Sequence, residues 1–244
     1  MELTDEQKKI LQGKGYIASK DGDHFACRVL IPAGKMTAQA AQKISAVCEK
    51  YGRGYFSFTQ RLNVEIPWIE YQNLDNVTRE LKEAGLSIGG AGLRVRPVLT
   101  CKGTVCKRGL LDTEALAQTI DERFYTGYYQ ITLPSKLRII VSGCNNSCSK
   151  PQIGCIGLQG RAQNQVAISI GGMFAKDQVT GRELPGLYSV NDALDMIEKA
   201  IDYYRDNGLK GERFAKMVER LGYPVVGSFL CDLPPGEFSK FSNE

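Results

Sequence analysis

The sequence predicts an α+β fold built as two successive units, and three observations carry that prediction. Short apolar runs with a period of two alternate with longer stripes of period 3.6, so strands and helices are mixed along the whole chain. The alternation is interrupted once by a glycine-rich stretch, GGAG at 89–92, which reads as a hinge between a unit at 1–90 and one at 91–226. At 244 residues the chain is long enough to bury a sizeable core.

In the first unit, HFACRVLIPAG (24–34) reads as a strand closed by a Pro-Ala-Gly turn. TAQAAQKISAVCEKYG (37–52) follows as a helix, with Ala40, Ile44, Val47 and Tyr51 on one face, Thr37 as N-cap and Gly52 as the stop. YFSFT and LNVEIPWI read as two strands, and LDNVTRELKEAG as a helix ended by Gly85. Strand, helix, strand, strand, helix is the order of a small ferredoxin-like α+β unit. Past the hinge, LRVRPVLTC runs into a first cysteine pair, DTEALAQTIDERFY is a helix, and KLRIIVSGC is a strand leading into a second pair. CIGLQG and QVAISIGG are further strands. SVNDALDMIEKAIDYYRDNG is the clearest helix, with a capping box from Ser189 to Asp192, a stripe at Ala193, Ile197, Ile201 and Tyr204, and Gly208 at its end. GERFAKMVERLG is a short closing helix, and 227–244 are expected to form a C-terminal tail.

The charge is unevenly placed. The net formal charge is only +4, yet no Asp or Glu occurs from Ala84 to Leu111 or from Arg123 to Lys176. Those stretches hold Arg94, Arg96, Lys102, Lys107, Arg108, Lys136 and Arg138, and both cysteine pairs lie within them. Such a region is expected to hold an anion. The chain lacks a run rich in Lys and Arg and the aromatic-flanked glycine motif of RNA-binding sheets, which argues against nucleic acid. No stretch approaches the roughly 18 apolar residues of a membrane span, and the charged start MELTDEQKKILQG has no signal-like apolar core, so a cytoplasmic protein is expected.

Eight cysteines in a reducing compartment point to metal or redox chemistry sooner than to disulfides. Cys101 and Cys106 have four residues between them, and Cys144 and Cys148 have three. Four thiolates at such spacings suit either a tetrahedral zinc or an iron-sulfur cluster, and gaps wider than the two-residue zinc knuckle lean toward the cluster. Cys27, Cys48 and Cys231 read as packed thiols, and Cys155, at the head of a strand, leans the same way. The one histidine, His24, excludes a His-rich zinc site or a bis-histidine haem.

The cysteine pairs flanking a helix and the strand KLRIIVSG, the second pair written SGCNNSC, and the later IGLQG and ISIGG together resemble the nitrite and sulfite reductase family. CRVLIPAG and FTQRLNVEI resemble that family's ferredoxin-like half domain, so the likeness runs from about residue 15 to 222. The resemblance implies a ferredoxin-like half domain followed by an α/β domain binding sirohaem and a 4Fe-4S cluster. Cys101, Cys106, Cys144 and Cys148 then ligate the cluster, and the Cys148 sulfur also reaches the sirohaem iron. Arg28, Arg96, Lys136 and Arg138 stand at the positions of substrate-side basic residues, and Arg61, Asn63 and Asn146 at sirohaem contacts.

What this implies is a sulfite or nitrite reductase carrying out a six-electron reduction of a small anion. Arg138 stands where sulfite-reducing members show lysine and nitrite-reducing ones often asparagine, and the four-cation set leans toward sulfite. No dinucleotide fingerprint is visible, so electrons are expected from a ferredoxin-like protein or a partner subunit, with Lys102, Lys107 and Arg108 as the docking patch. Many relatives fuse two such modules, and a single module could complete its site as a two-fold homodimer. Two other readings stay open: an iron-sulfur electron-transfer or accessory subunit without sirohaem catalysis, and a basic zinc-binding nucleic-acid module.

Overall fold

The structure, a computed structural model, describes residues 3–241. The chain divides into two compact units with the boundary between Gly92 and Leu93, at the end of the glycine-rich stretch.

The first unit opens with helix α1 (Asp5–Lys14), which the sequence reading left unassigned. Its signal is local: Thr4 accepts from Gln7 N–H while the Gln7 side chain accepts from Thr4 N–H, and Gly15 closes the helix in a left-handed conformation. A four-stranded antiparallel sheet follows, in the order β1 (Tyr16–Ala18), β2 (His24–Val29), β4 (Val64–Glu70), β3 (Ser57–Phe58). The strand expected over YFSFT shrinks to Ser57–Phe58, both exposed, because neither residue has a buried face to anchor it. Helices α2 (Ala38–Tyr51) and α3 (Leu74–Glu83) complete the unit. Thr37 caps α2 as expected, accepting from Ala40 N–H. The core joins Ile44, Val47 and Cys48 of α2 and Leu74, Val77 and Leu81 of α3 to Phe25, Cys27, Ile66 and Ile69 of the sheet.

The second unit is built on a mixed sheet in the order β11 (Arg182–Glu183), β8 (Gln165–Ile170), β7 (Ile156–Ala162), β6 (Ile139–Ser142), β5 (Leu99–Thr100), with β12 (Tyr188–Ser189) also pairing with β8. β5 pairs parallel with β6 and β6 with β7, whereas β7 and β8 are antiparallel. Every residue of β6 is buried, as the continuous apolar run IIV predicts for a central parallel strand. A two-stranded ribbon, β9 (Met173–Phe174) with β10 (Gln178–Val179), lies off the sheet.

Helix α4 (Thr113–Ile120), capped by Asp112, continues as a π-helical segment, Asp121–Thr126. Helix α5 (Val190–Asn207) buries the predicted stripe Ala193, Ile197, Ile201 and Tyr204, and Ser189 caps it. Helices α6 (Phe214–Leu221), α7 (Tyr223–Cys231) and α8 (Pro235–Phe241) end the chain. α7 runs straight through Gly227, where the sequence reading began a tail. The difference has a packing cause: Phe238 of α8 sits so close that a Cβ on Gly227 would stand 2.1 Å from its ring. No helix of the described residues is long and apolar enough to cross a membrane.

Candidate iron-sulfur and anion site

The two cysteine loops leave the same end of neighbouring parallel strands. Leu99 and Thr100 pair with Ile140 and Val141, so Cys101 emerges beside Ser142 and Cys144 follows two residues later. The loops then interlock through glycine. The Gly143 N–H donates to Cys101 Sγ at 3.2 Å. A Cβ on Gly143 would lie 3.0 Å from Gly103 Cα and 3.6 Å from Cys101 Sγ, and one on Gly103 would lie 2.5 Å from Thr113 Cγ2. Only glycine allows this approach. Thr113, fully buried at the start of α4, ties the first loop down by donating to the Cys101 carbonyl at 2.8 Å and accepting from Thr104 N–H at 3.3 Å.

The second loop is shaped by side chains that the sequence reading passed over. Gln159 of β7, 5% exposed, donates toward the carbonyls of Cys144 and Asn145 at 3.4 Å each. Gln152 reaches Gln159 at 3.4 Å and accepts from Ser147 Oγ at 2.9 Å, and Ser149 Oγ donates to Val141 O. Ser147 and Lys150 take left-handed backbone conformations, so two successive turns carry the chain through Cys148. Cys101, Cys106 and Cys144 are half-buried and Cys148 is exposed. Asn146 is exposed, with Arg108 Nη1 from the first loop 3.5 Å from its Oδ1. Among the described residues no three His, Cys, Asp or Glu side chains converge tightly enough to share one metal ion.

The other four cysteines differ in surroundings. Burial pushes the Cys27 thiol up to about 12, and raises Cys155, Cys48 and Cys231 as well. A thiol that resists ionisation is a poor metal ligand, which agrees with packing roles.

A basic ribbon leads into the same two strands, at the end opposite to the cysteine loops. Val95 and Leu137 form an isolated parallel bridge, with Arg96 N–H donating to Leu137 O at 2.9 Å and Leu137 N–H to Arg94 O at 3.1 Å. Both bridging side chains are buried. Side chains alternate along extended backbone, so Arg94 and Arg96 share the opposite side of their strand, and Lys136 and Arg138 that of theirs. The structure therefore brings together three of the basic residues read from the sequence, Arg96, Lys136 and Arg138, and adds Arg94. Arg138 Nε and Arg94 Nη1 are shielded from solvent without an acceptor among the described residues, the arrangement of donors awaiting an anion. Behind the ribbon the buried Asp121 accepts from Val98 N–H at 3.0 Å, and burial lifts its carboxyl to about 7.

Arg28, Arg61 and Asn63 belong to the first unit. Arg28, 9% exposed, is cross-strand partner of Glu65 and donates to it through Nε at 2.8 Å and Nη2 at 2.5 Å, while Nη1 donates to Gly90 O at 3.1 Å. Its guanidinium thus has partners of its own. Asn63, 1% exposed, accepts from Ile31 N–H at 3.0 Å, and its Nδ2 has no acceptor among the described residues. Arg61 sits in the turn between Thr59 and Asn63, its N–H donating to Thr59 Oγ1 at 3.3 Å.

Cysteine loops interlocked at the ends of parallel strands, with a ribbon of half-buried cations leading into the same strands, suit an iron-sulfur redox protein. Comparison with known proteins gives the family. Residues 91–228 match the nitrite and sulphite reductase 4Fe-4S domain, and residues 17–84 match the nitrite/sulfite reductase ferredoxin-like half domain. The chain belongs to the nitrite and sulfite reductase family, a family of oxidoreductases. It is 29% identical over 215 residues to an assimilatory-type sulfite reductase of Nitratidesulfovibrio vulgaris, covering 87% of this chain and 95% of that protein. It is 27% identical to the large subunit of an NAD(P)H nitrite reductase of Klebsiella oxytoca, covering 87% of this chain but 24% of that one. Among solved structures, the NirA protein of Mycobacterium tuberculosis superposes with a TM-score of 0.81 at 17% identity, over 95% of this chain and 48% of NirA.

Proposed function

We propose that this chain is a small reductase that uses a 4Fe-4S cluster and sirohaem to reduce sulfite to sulfide, or nitrite to ammonia. One observation carries the reading: four cysteines lie on two interlocked loops of a unit whose parallel strands also carry a ribbon of cations with shielded, unmet donors. Cys101, Cys106, Cys144 and Cys148 would hold the cluster in this proposal, and Cys148, the most exposed of the four, would also serve the sirohaem. Arg61, Asn63 and Asn146 contact the macrocycle; Asn63 Nδ2 is a buried donor suited to one of its carboxylates. When bound, the two groups supply the electrons and the iron at which the oxyanion is held.

The remaining chemistry falls to the chain's own residues. Arg96 and Arg138 bind and orient the anion's oxygens, since a guanidinium keeps its charge and its fork matches an oxyanion. Lys136 delivers protons, because an ammonium can release one whereas arginine stays charged. Arg28 is likewise assigned to the anion, once its bond with Glu65 is exchanged for one with the substrate. Lys102, Lys107 and Arg108, all exposed around Val105 at 73% exposure, form the surface on which an acidic ferredoxin-like donor or a partner subunit docks. A homodimer could complete the site; a fully active, sirohaem-loaded monomer in sedimentation would remove that element.

Anaerobic reconstitution tests the reading. Haem bands toward the red together with a broad cluster absorption, and turnover of sulfite or nitrite with a strong reductant, are expected. A fully loaded sample that converts neither anion sinks the proposal, and a broad brown absorption alone makes the chain an electron-transfer subunit. Lys136→Met should lower turnover by a factor of roughly 100 or more, the usual contribution of a proton donor, while leaving sirohaem content unchanged. Equal loss of both would reassign Lys136 to cofactor binding.

A further inference from the structure

We infer that Arg94 is a fourth anion-binding cation of the ribbon, and that Tyr129 is the residue that positions it. The inference rests on the reductase reading above and extends it to a side chain and a support which that reading does not use.

Position comes first. Arg94 flanks the buried Val95–Leu137 bridge on one side as Arg96 does on the other, and the Leu137 N–H holds its carbonyl at 3.1 Å. Alternation puts Arg94 and Arg96 on the same side of the strand. Two residues apart on extended backbone, the guanidiniums can serve one anionic group or two adjacent ones.

Its side chain is then fixed by an aromatic support. The Arg94 Cζ lies 4.0 Å from the centroid of the Tyr129 ring. Tyr129 is braced edge-on by Tyr125, with centroids 5.9 Å apart and planes at 85°, and its N–H donates to Thr126 O at 3.2 Å. Tyr125 is buried on the π-helical segment that continues α4. A stacked guanidinium loses rotamer freedom before any ligand arrives, and its in-plane N–H groups stay free to form a fork.

The third observation is an unmet donor. Arg94 Nη1 is shielded from solvent and has no acceptor among the described residues. Four other arginines of this unit carry carboxylate partners, Arg123 with Glu198 and Asp195, Arg161 with Glu183, Arg205 with Asp202 and Arg220 with Glu212, while Arg138 Nε and Arg213 Nε share the unmet state of Arg94 Nη1. Arg94 lies in the acid-free stretch from Ala84 to Leu111. A shielded cationic donor is costly to leave unbonded, so the acceptor it suits is an anion from outside the chain. The shared chemistry is an oxyanion, either a tetrapyrrole carboxylate or the inorganic substrate.

The test uses the cluster-loaded protein and two binding titrations, neither of which needs turnover: sirohaem uptake followed optically, and sulfite binding to the sirohaem-loaded form. Arg94→Gln should weaken one of the two by about 10- to 100-fold, the loss expected for a charge-assisted hydrogen bond, with iron content unchanged. Loss in the sirohaem titration assigns Arg94 to a macrocycle carboxylate, and loss in the sulfite titration assigns it to the substrate. Tyr129→Phe, which keeps the ring, should stay within twofold of wild type, whereas Tyr129→Leu should lower the same affinity that Arg94→Gln lowers. Arg94→Gln binding both ligands within twofold of wild type overturns the inference, as does Tyr129→Phe losing as much as Tyr129→Leu. If Arg94→Gln does not fold, Arg94→Lys decides, since lysine keeps the charge and loses the fork; wild-type affinity for both ligands overturns the assignment. A wild-type protein that binds both but turns over neither anion sinks the reductase reading alone, and one that binds neither sinks both.

Discussion

Gly103→Ala is the sharpest test of how the cysteine loops are held. A Cβ there would stand 2.5 Å from Thr113 Cγ2, 2.9 Å from Thr113 Oγ1 and 3.2 Å from Gly143 Cα. Thr113 cannot simply rotate away, because it is fully buried and its hydroxyl donates to the Cys101 carbonyl at 2.8 Å. Either that bond breaks or the second loop retreats and loosens the Gly143 N–H from Cys101 Sγ, now 3.2 Å away. Overpacking of this kind costs roughly 1–3 kcal/mol, and the lost hydrogen bond about 1 more. If the cost falls on the cluster-bound arrangement, cluster affinity drops roughly 30- to 700-fold. The assay is the half-life of the reconstituted cluster against an iron chelator, read by absorbance, with circular dichroism to check the fold. Gly13→Ala serves as control, since a Cβ there meets nothing within 4 Å. A Gly103→Ala protein whose cluster survives as long as the wild type's would refute the interlocked-loop account.

Further outcomes follow from the same geometry. Asp121 is lifted by burial from the ordinary 3.8 to about 7, so the folded state holds a proton that the unfolded state has released. Stability therefore falls as pH rises from about 4 to 7 and levels off above, by about 4 kcal/mol at most; Asp121→Asn, which still accepts from Val98 N–H, should flatten urea midpoints measured across that range. Cys155→Ala should keep wild-type iron content because Cys155 is buried and its thiol is pushed up, whereas Cys148→Ala should lose iron; iron loss by Cys155→Ala would make Cys155 a ligand. Charge reversal of the exposed Lys102 and Lys107 to Glu should slow reduction by an acidic protein donor by tenfold or more at low salt and leave dithionite-driven turnover unchanged. Equal slowing with both reductants would place these lysines elsewhere in the mechanism.

Features that depend on a few consecutive residues were legible in the sequence. Thr37 and Ser189 cap their helices because a hydroxyl three residues before an unpaired N–H is a local arrangement. The glycine-rich stretch at 89–92, at whose end the two compact units divide, interrupts the periodicity, although the sequence places the boundary after residue 90. The cysteine pairs declared themselves by spacing and by the absence of acids around them. What stayed hidden depends on register. Arg28 reads as an open cation until β2 and β4 pair and bring Glu65 opposite it, 37 positions along the chain. Gln159 looks like one polar residue in an apolar strand, and only the parallel pairing of β6 and β7, with Ser142 opposite it, turns it into the support of the second cysteine loop.

Arg94 shows why the basic ribbon could be read only in part. Its sequence signal, RVR with Lys-Leu-Arg 42 positions later, is two short stretches with the same cation–apolar–cation pattern. Each alone describes a strand with one buried residue. Their meaning comes from the Val95–Leu137 bridge, which aligns the two central residues and so groups the four flanking cations. The resemblance assigned roles to Arg96, Lys136 and Arg138 and none to Arg94, because a family pattern carries over only the positions it contains. The stacking on Tyr129 was equally invisible, since it spans a helix whose last turn is π-helical, and the extra residue in that turn sets the direction of the aromatic side chains that follow. Two cation–apolar–cation strands flanked by acid-free loops are the sequence signal that marks Arg94 as a candidate. Only the paired backbone could then show which of those cations stands together with the others.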